Sequence, residues 1–182
     1  MTILASNLLR EIIQYQDTVS PSDILHRLDQ KLNETLQTDQ NARINDGMDM
    51  SLVVIRERDQ WLTYAGAKSP LYYVREQAFH QIKGSIFPIG GSNQYKVPKS
   101  FEEHHLQLKP GDMLYLSSDG FQDQFGGSKG GKYLKKNFRS FLLNISQLPP
   151  KHQENYLQRE LQQWKGGNKQ TDDILVLGVK ID

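Results

Sequence analysis

The chain has 182 residues, 37% hydrophobic and 24% charged, with a net charge of +1 and no cysteine. That length and apolar content suit one folded domain and argue against global disorder. The balanced charge points to no nucleic-acid or acidic-membrane partner, and the lack of cysteine excludes disulfides, thiolate metal sites and a cysteine nucleophile, in keeping with a reducing cytoplasm.

The chain opens on MTILASNLLREIIQYQ. No basic leader precedes the apolar residues and Arg10-Glu11 interrupts them, so this is not a signal peptide. No run approaches the roughly 18 apolar residues of a membrane span. Leu4, Leu8 and Ile12, with Leu9 and Ile13 beside them, predict an amphipathic helix that begins at Met1 without a capping residue. In SPSDILHRLDQKLNETL, Ser20 is a good N-cap, Pro21 suits the first helical position and Asp23 sits where a capping acid belongs. Leu25, Leu28, Leu32 and Leu36 form one stripe of that second helix.

From residue 49 the period changes to that of strands. MSLVVIRERDQWLTYAGAKSPLYYVRE reads as strands with polar turns at Arg58-Asp59-Gln60 and Lys68-Ser69-Pro70. Gly66, between Ala65 and Ala67, suggests close approach of another backbone. GSIFPIGGSNQYKVPKS reads as loop, and HHLQLKPGDMLYLSS as two strands around a Pro110-Gly111-Asp112 turn. After a glycine-rich stretch, Leu134, Phe138, Phe141, Leu142 and Ile145 mark a helix. Leu157, Leu161 and Trp164, beyond Pro149-Pro150, mark another, and DDILVLGVKI is a closing strand. Strands joined by tight turns argue for an antiparallel α+β protein in a single domain over 1–182.

The chemistry-bearing feature is acidic. Asp119 follows one apolar strand, and Asp172 and Asp173 precede another. If those strands are antiparallel neighbours, the carboxylates meet at one sheet edge. Clustered carboxylates without a cationic side chain alongside are costly unless a cation binds them, and hard oxygen ligands suit Mg2+ or Mn2+. Read by residue type alone, Asp119-Gly120 serves equally as a turn pair and Asp172-Asp173 as a polar strand start.

LYLSSDGFQDQFG resembles the "TDG" motif of the metal-dependent PPM/PP2C-type protein phosphatases in its bacterial SpoIIE branch, and QTDDILVLGV resembles that branch's closing strand. LTYAGAKSPLYYVRE, FPIGG and LQLKPGDMLYLSSDGFQDQFGG match the middle section in order and spacing, so the similarity covers essentially the whole chain. The resemblance implies a sandwich of two antiparallel sheets flanked by helices, with two metal ions (Mn2+ or Mg2+) in the complete domain. It implies hydrolysis of phosphoserine or phosphothreonine by metal-activated water, without a covalent intermediate. Asp119 and Asp172 match the family's metal ligands. Gly120 and Asp173 take supporting roles, and Ser118 stands where the family often has Thr. The implied substrate is a phosphorylated protein such as an anti-sigma-factor antagonist, under control of an upstream sensor or regulatory domain.

Two upstream motifs of that branch, Gly-Gly-Asp-x-aromatic and an Asp followed by Gly-His-Gly, do not occur here. The chain therefore reads as the C-terminal part of a PPM domain, with N-terminal strands missing and weak or no activity on its own. Sheet edges left unpaired by missing strands favour association. The alternative is a degenerate PPM fold that binds a phosphoprotein or regulator without hydrolysing it.

Other features weigh less. Residues Gly126 to Tyr133 nearly fit a P-loop spacing, but Tyr133 stands where a Ser or Thr hydroxyl must reach Mg2+. The stretch reads as a loop leading into a helix, with Lys129 and Lys132 as candidate contacts for a substrate phosphate. His104 and His105 point to opposite faces of a strand and cannot easily share one ion. His26, His80 and His152 lack partners at ligand spacing. Lys132, Lys135, Lys136 and Arg139 make a basic helix face of the solvated kind.

Overall fold

The computed structural model describes residues 2–14, 20–37, 47–91 and 97–182. In chain order the elements are α1 (Thr2–Gln14), α2 (Pro21–Gln37), β1 (Met50–Arg56), β2 (Trp61–Ala67), β3 (Leu71–Arg75), β4 (Ala78–Ile82), β5 (Glu103–Gln107) and β6 (Met113–Ser117). They continue as α3 (Gly120–Asp123), β7 (Phe125–Gly126), β8 (Gly131–Lys132), α4 (Lys135–Ile145), α5 (Pro150–Lys165) and β9 (Val176–Lys180). The chain divides into two compact units, Met1–Leu71 with Ile82–Leu108 and Tyr72–Gln81 with Lys109–Asp182.

The first unit holds an antiparallel sheet of order β1-β2-β5. Its register runs from Met50 opposite Ala67 to Arg56 opposite Trp61, and from Trp61 opposite Gln107 to Ala65 opposite Glu103. Helix α2 starts where its cap predicts: Ser20 Oγ accepts from the Asp23 N–H at 3.3 Å. Leu25, Leu28 and Leu32 are fully buried with Ile12, Ala65, Ile89 and Phe101. Burying each large apolar side chain contributes roughly 1.5–3 kcal/mol. Met1, the side chain of Leu36 and residues 92–96 of the predicted loop lie outside the described residues.

Gly66 meets the close approach expected of it. A Cβ there would overlap Ser69 O and Tyr64 Oη, while the Ser85 N–H donates to Gly66 O at 2.7 Å. The FPIGG segment is held by a half-buried ion pair: Asp29 Oδ1 accepts from Lys99 Nζ and from the Gly90 N–H, both at 2.7 Å.

The second unit holds a sheet of order β4-β3-β6-β9. Tyr72, Val74, Met113, Tyr115, Phe121, Tyr133, Phe138, Leu142 and Ile145 form its core. Within it, the Tyr115 hydroxyl donates to Gln153 Oε1 at 2.7 Å, and the Gln153 amide donates to Leu148 O at 2.8 Å. Arg75 grips Asp112 with two bonds of 2.8 and 2.6 Å. Burial alone would raise the Asp112 pKa, but the Arg75 guanidinium and the Lys109 N–H together hold it below the ordinary carboxylate value.

The α+β class and the antiparallel pairing agree with the sequence, while two strand connections do not behave as hairpins. β2 and β3, joined through Lys68-Ser69-Pro70, belong to different sheets, as do β5 and β6 on either side of Pro110-Gly111-Asp112. Another hairpin, β3 to β4, has no signal in the sequence. It turns on Glu76 and Gln77, at φ 50° and 63°. Such a turn needs two left-handed residues and is usually marked by Asn-Gly or Asp-Gly, so a Glu-Gln pair gives no signal.

Candidate functional site

β6 and β9 are antiparallel neighbours, from Met113 opposite Lys180 to Ser117 opposite Val176. The end of β6 and the approach to β9 therefore share one edge of the sheet, which is the condition the acidic reading required. Ser118 fastens that edge. Its N–H donates to Leu175 O at 3.0 Å, while its hydroxyl donates to Asp173 O at 2.8 Å and accepts from the Leu175 N–H at 2.9 Å.

Asp119 follows directly, at the N-cap of α3. Its side chain makes no capping bond; its carbonyl accepts from the Asp123 N–H at 3.0 Å. So Asp119-Gly120 opens a short helix rather than a simple turn. Gly120 lies against the neighbouring segment so tightly that a Cβ would overlap Asp173 O. This gives Gly120 a packing reason to be glycine, beyond its place in a motif.

Asp172 is exposed, and its Oδ1 accepts from the Asp173 N–H at 2.7 Å. Asp173 acts through its backbone, as the acceptor for Ser118 and the surface that Gly120 meets. Among the described residues, no Lys, Arg or His forms an ion pair with Asp119, Asp172 or Asp173.

A residue missed in the sequence, Gln124, braces the same region. It is fully buried; its amide nitrogen donates to Phe125 O and to Lys169 O, each at 2.9 Å, and its Oε1 accepts from the Thr171 N–H at 3.4 Å. The backbone carrying Asp172 is thereby tied to the backbone after Asp119. The only sign in the sequence was a polar residue beside the FGG turn.

The glycine-rich stretch is a small hairpin. β7 pairs with β8, Phe125 opposite Lys132 and Gly126 opposite Gly131. Gly126 lies against the end of α5, where a Cβ would overlap Trp164 O. Of the two lysines predicted to meet phosphate, Lys132 pairs with Asp123 at 3.3 Å, and Lys129 is exposed. The adjacent histidines serve separate ends: His104 stacks on Tyr64 at 6.0 Å, and His105 approaches Glu103 at 3.4 Å.

The donor set can be tested against a divalent cation. Asp119 and Asp172 offer hard, exposed oxygens, which fit one largely hydrated Mg2+ or Mn2+. Among the described residues no group of three or more His, Asp or Glu side chains is placed to hold a metal ion. The set therefore falls short of a two-metal centre, in which carboxylates must serve both ions.

The family model of stage II sporulation protein E (SpoIIE) matches residues 1–182. The chain belongs to the SpoIIE family. No curated protein sequence matches it significantly. The SiaA-PP2C domain of Pseudomonas aeruginosa is 29% identical with a TM-score of 0.88, over 100% of this chain and 69% of that one. The PP2C phosphatase domain of SpoIIE from Bacillus subtilis, solved with a fragment of its regulatory domain, gives 18% identity and a TM-score of 0.72, over 98% of this chain and 49% of that one. The serine/threonine phosphatase PstP/Ppp of Mycobacterium tuberculosis gives 16% and 0.63, over 99% and 82%. By family, this SpoIIE chain is a PP2C-type protein serine/threonine phosphatase module of signal transduction. Among the described residues, no helix is long and apolar enough to cross a membrane.

Proposed function

We propose that Asp119 and Asp172 form one half of the metal centre of a phosphatase that removes phosphate from serine or threonine of a phosphorylated regulatory protein. The supporting observation is the Ser118 clasp, which holds together the end of β6, beside Asp119, and the approach to β9, beside Asp172. Bound Mn2+ or Mg2+ supplies an activated water and polarises a phosphoryl oxygen.

The chain's own residues do the positioning. Asp119 and Asp172 would hold the cation from two backbone segments that Ser118 and Gln124 tie together. Gly120 allows Asp173 to pack close. Of the two lysines this reading assigns Lys129 to the substrate phosphate, since Lys132 has Asp123 as its partner. A cytoplasmic phosphoprotein of the anti-sigma-factor-antagonist kind is the substrate class this reading favours, with control from an upstream sensor domain.

The short donor set favours low turnover by these 182 residues alone, and it also favours a second reading: a module that binds a phosphoprotein without hydrolysing it. Calorimetric titration with Mn2+, beside turnover of a phosphorylated peptide, separates the two. Weak Mn2+ binding that is lost in Asp119→Ala, with little turnover, supports the half-site. No Mn2+ binding supports the binding module. Turnover that is robust and indifferent to Asp119→Ala sinks both.

A further inference from the structure

The last turn of α5 packs against the residue that braces the acidic edge, and the phosphatase reading leaves it unused. The Trp164 Nε1–H donates to Gln124 O at 2.9 Å, and the Tyr133 N–H donates to the same oxygen at 3.0 Å. Trp164 O in turn accepts from the Gly127 N–H at 2.8 Å. Gly126 and Gly127 leave room for this contact: a Cβ on the first would overlap Trp164 O, and one on the second would overlap the indole ring. Tyr133 meets the indole edge-on, with ring centroids 5.2 Å apart, and its hydroxyl donates to Glu160 Oε1 at 2.8 Å.

Gln124 is therefore gripped at both ends. Its carbonyl oxygen takes the Trp164 and Tyr133 donors, while its side chain bonds to Lys169 O and to the Thr171 N–H. α5 closes through a turn in which the Asn168 N–H and its side-chain amide both donate to Lys165 O at 3.0 Å. The chain then passes the Gln124 side chain on its way to Asp172. Residues 169–173 belong to no helix or strand, so no ladder fixes them ahead of the Ser118 clasp. A carboxylate on such a segment holds a cation only as firmly as the segment itself is held, because binding otherwise includes the cost of ordering it.

We propose that Trp164 is a positioning residue of the acidic edge: by holding the Gln124 carbonyl it fixes the 169–171 backbone that leads into Asp172, and so strengthens Mn2+ binding without touching the ion. This rests on the reading of Asp119 and Asp172 as half of a metal centre. The indole N–H is the part that carries the effect, since it reaches the same residue whose side chain holds the segment. Partners that orient a metal ligand from outside the coordination shell commonly change affinity by roughly ten- to a hundredfold.

Trp164→Phe keeps an aromatic ring and removes the N–H. Calorimetric titration of the purified chain should then show Mn2+ bound roughly tenfold more weakly than by the wild type. Tyr133→Phe is the control. It removes the bond to Glu160 from the same cluster but keeps the ring against Trp164 and the N–H on Gln124, so it should lower the urea midpoint and leave Mn2+ affinity unchanged. A second readout needs no metal. The chain has no cysteine, and Lys169 meets Gln124 through its carbonyl oxygen, so a nitroxide on Lys169→Cys reports the mobility of the segment. Its electron paramagnetic resonance lines should be broad in the parent and sharper with Trp164→Phe. Where Trp164→Phe does not fold, benzothienylalanine at residue 164, with sulfur in place of the N–H and both rings kept, should give the same two changes. Unchanged label mobility overturns the proposal, as does an equal loss of Mn2+ affinity in Tyr133→Phe, which marks a loss of stability alone. Greater mobility with unchanged Mn2+ affinity overturns it too. A wild-type chain that binds no Mn2+, while the label still responds to Trp164→Phe, overturns the half-site and the metal part of the proposal, and the hold of Trp164 on 169–171 stands.

Discussion

The Ser118 hydroxyl donates to the Asp173 carbonyl oxygen at 2.8 Å and accepts from the Leu175 N–H at 2.9 Å. One small side chain thus ties the exit of β6 to the entry of β9. Ser118→Ala removes both bonds, and urea unfolding should show a loss of about 1–3 kcal/mol. Ser118→Thr keeps the hydroxyl and should cost much less. In the alanine variant, Mn2+ affinity should fall although no carboxylate has been touched.

Gly120 leaves no room for a Cβ, since the obstacle is the backbone oxygen of Asp173 and not a flexible side chain. Gly120→Ala should destabilise by about 1–3 kcal/mol in urea unfolding. Gly130→Ala, where a Cβ meets nothing but φ is 65°, should cost less and only through backbone strain.

Asp119 and Asp172 are exposed and take no part in any ion pair among the described residues. Asp119→Ala and Asp172→Ala should therefore change stability by no more than about 0.5 kcal/mol. Each should nonetheless abolish Mn2+ binding measured by calorimetry. Stability and metal binding come apart at these two positions and move together at Ser118.

The Arg75–Asp112 pair sets an acid limit. Asp112 is buried and its pKa in the folded chain lies below the ordinary value. A carboxylate depressed by folding stabilises fully above its unfolded pKa, near 3.9, and that contribution is lost as pH falls through the folded value. Urea midpoints should fall below about pH 4. In Asp112→Asn this part of the acid dependence should disappear, with a lower stability at neutral pH from the loss of the Arg75–Asp112 ion pair.

Much of this was legible from residue order. The stripe of Leu25, Leu28 and Leu32, the Ser20 cap and the crowding at Gly66 each follow from local rules, and local rules work where neighbours in sequence are neighbours in space. The β6–β9 pairing was legible through the ordered motifs, because Asp119 and Asp172 only make sense together. The sheet to which each strand belongs was not. A Lys-Ser-Pro or Pro-Gly-Asp turn looks the same whether the chain folds back on its own sheet or departs for another. Glu76 and Gln77 hid a hairpin because the left-handed conformation is carried by residues that seldom adopt it. Gln124 was hidden for a different cause: its bracing depends on Lys169 and Thr171, more than forty positions away in sequence, as the separations of 45 and 47 residues show.

The switching of sheets at 68–70 and 110–112 bears on how the molecule can be taken apart. Each unit is assembled from two separate stretches, with Tyr72–Gln81 inserted into the span of the first. A single cut therefore releases neither unit whole, and no contiguous subclone can contain one without part of the other. Folding must close long loops before either sheet is complete, which places the chain among slow folders of high contact order. A protease nick in the 76–77 turn would leave β4 held to β3 only by their ladder, making that turn the place where limited digestion reports whether the second sheet has formed.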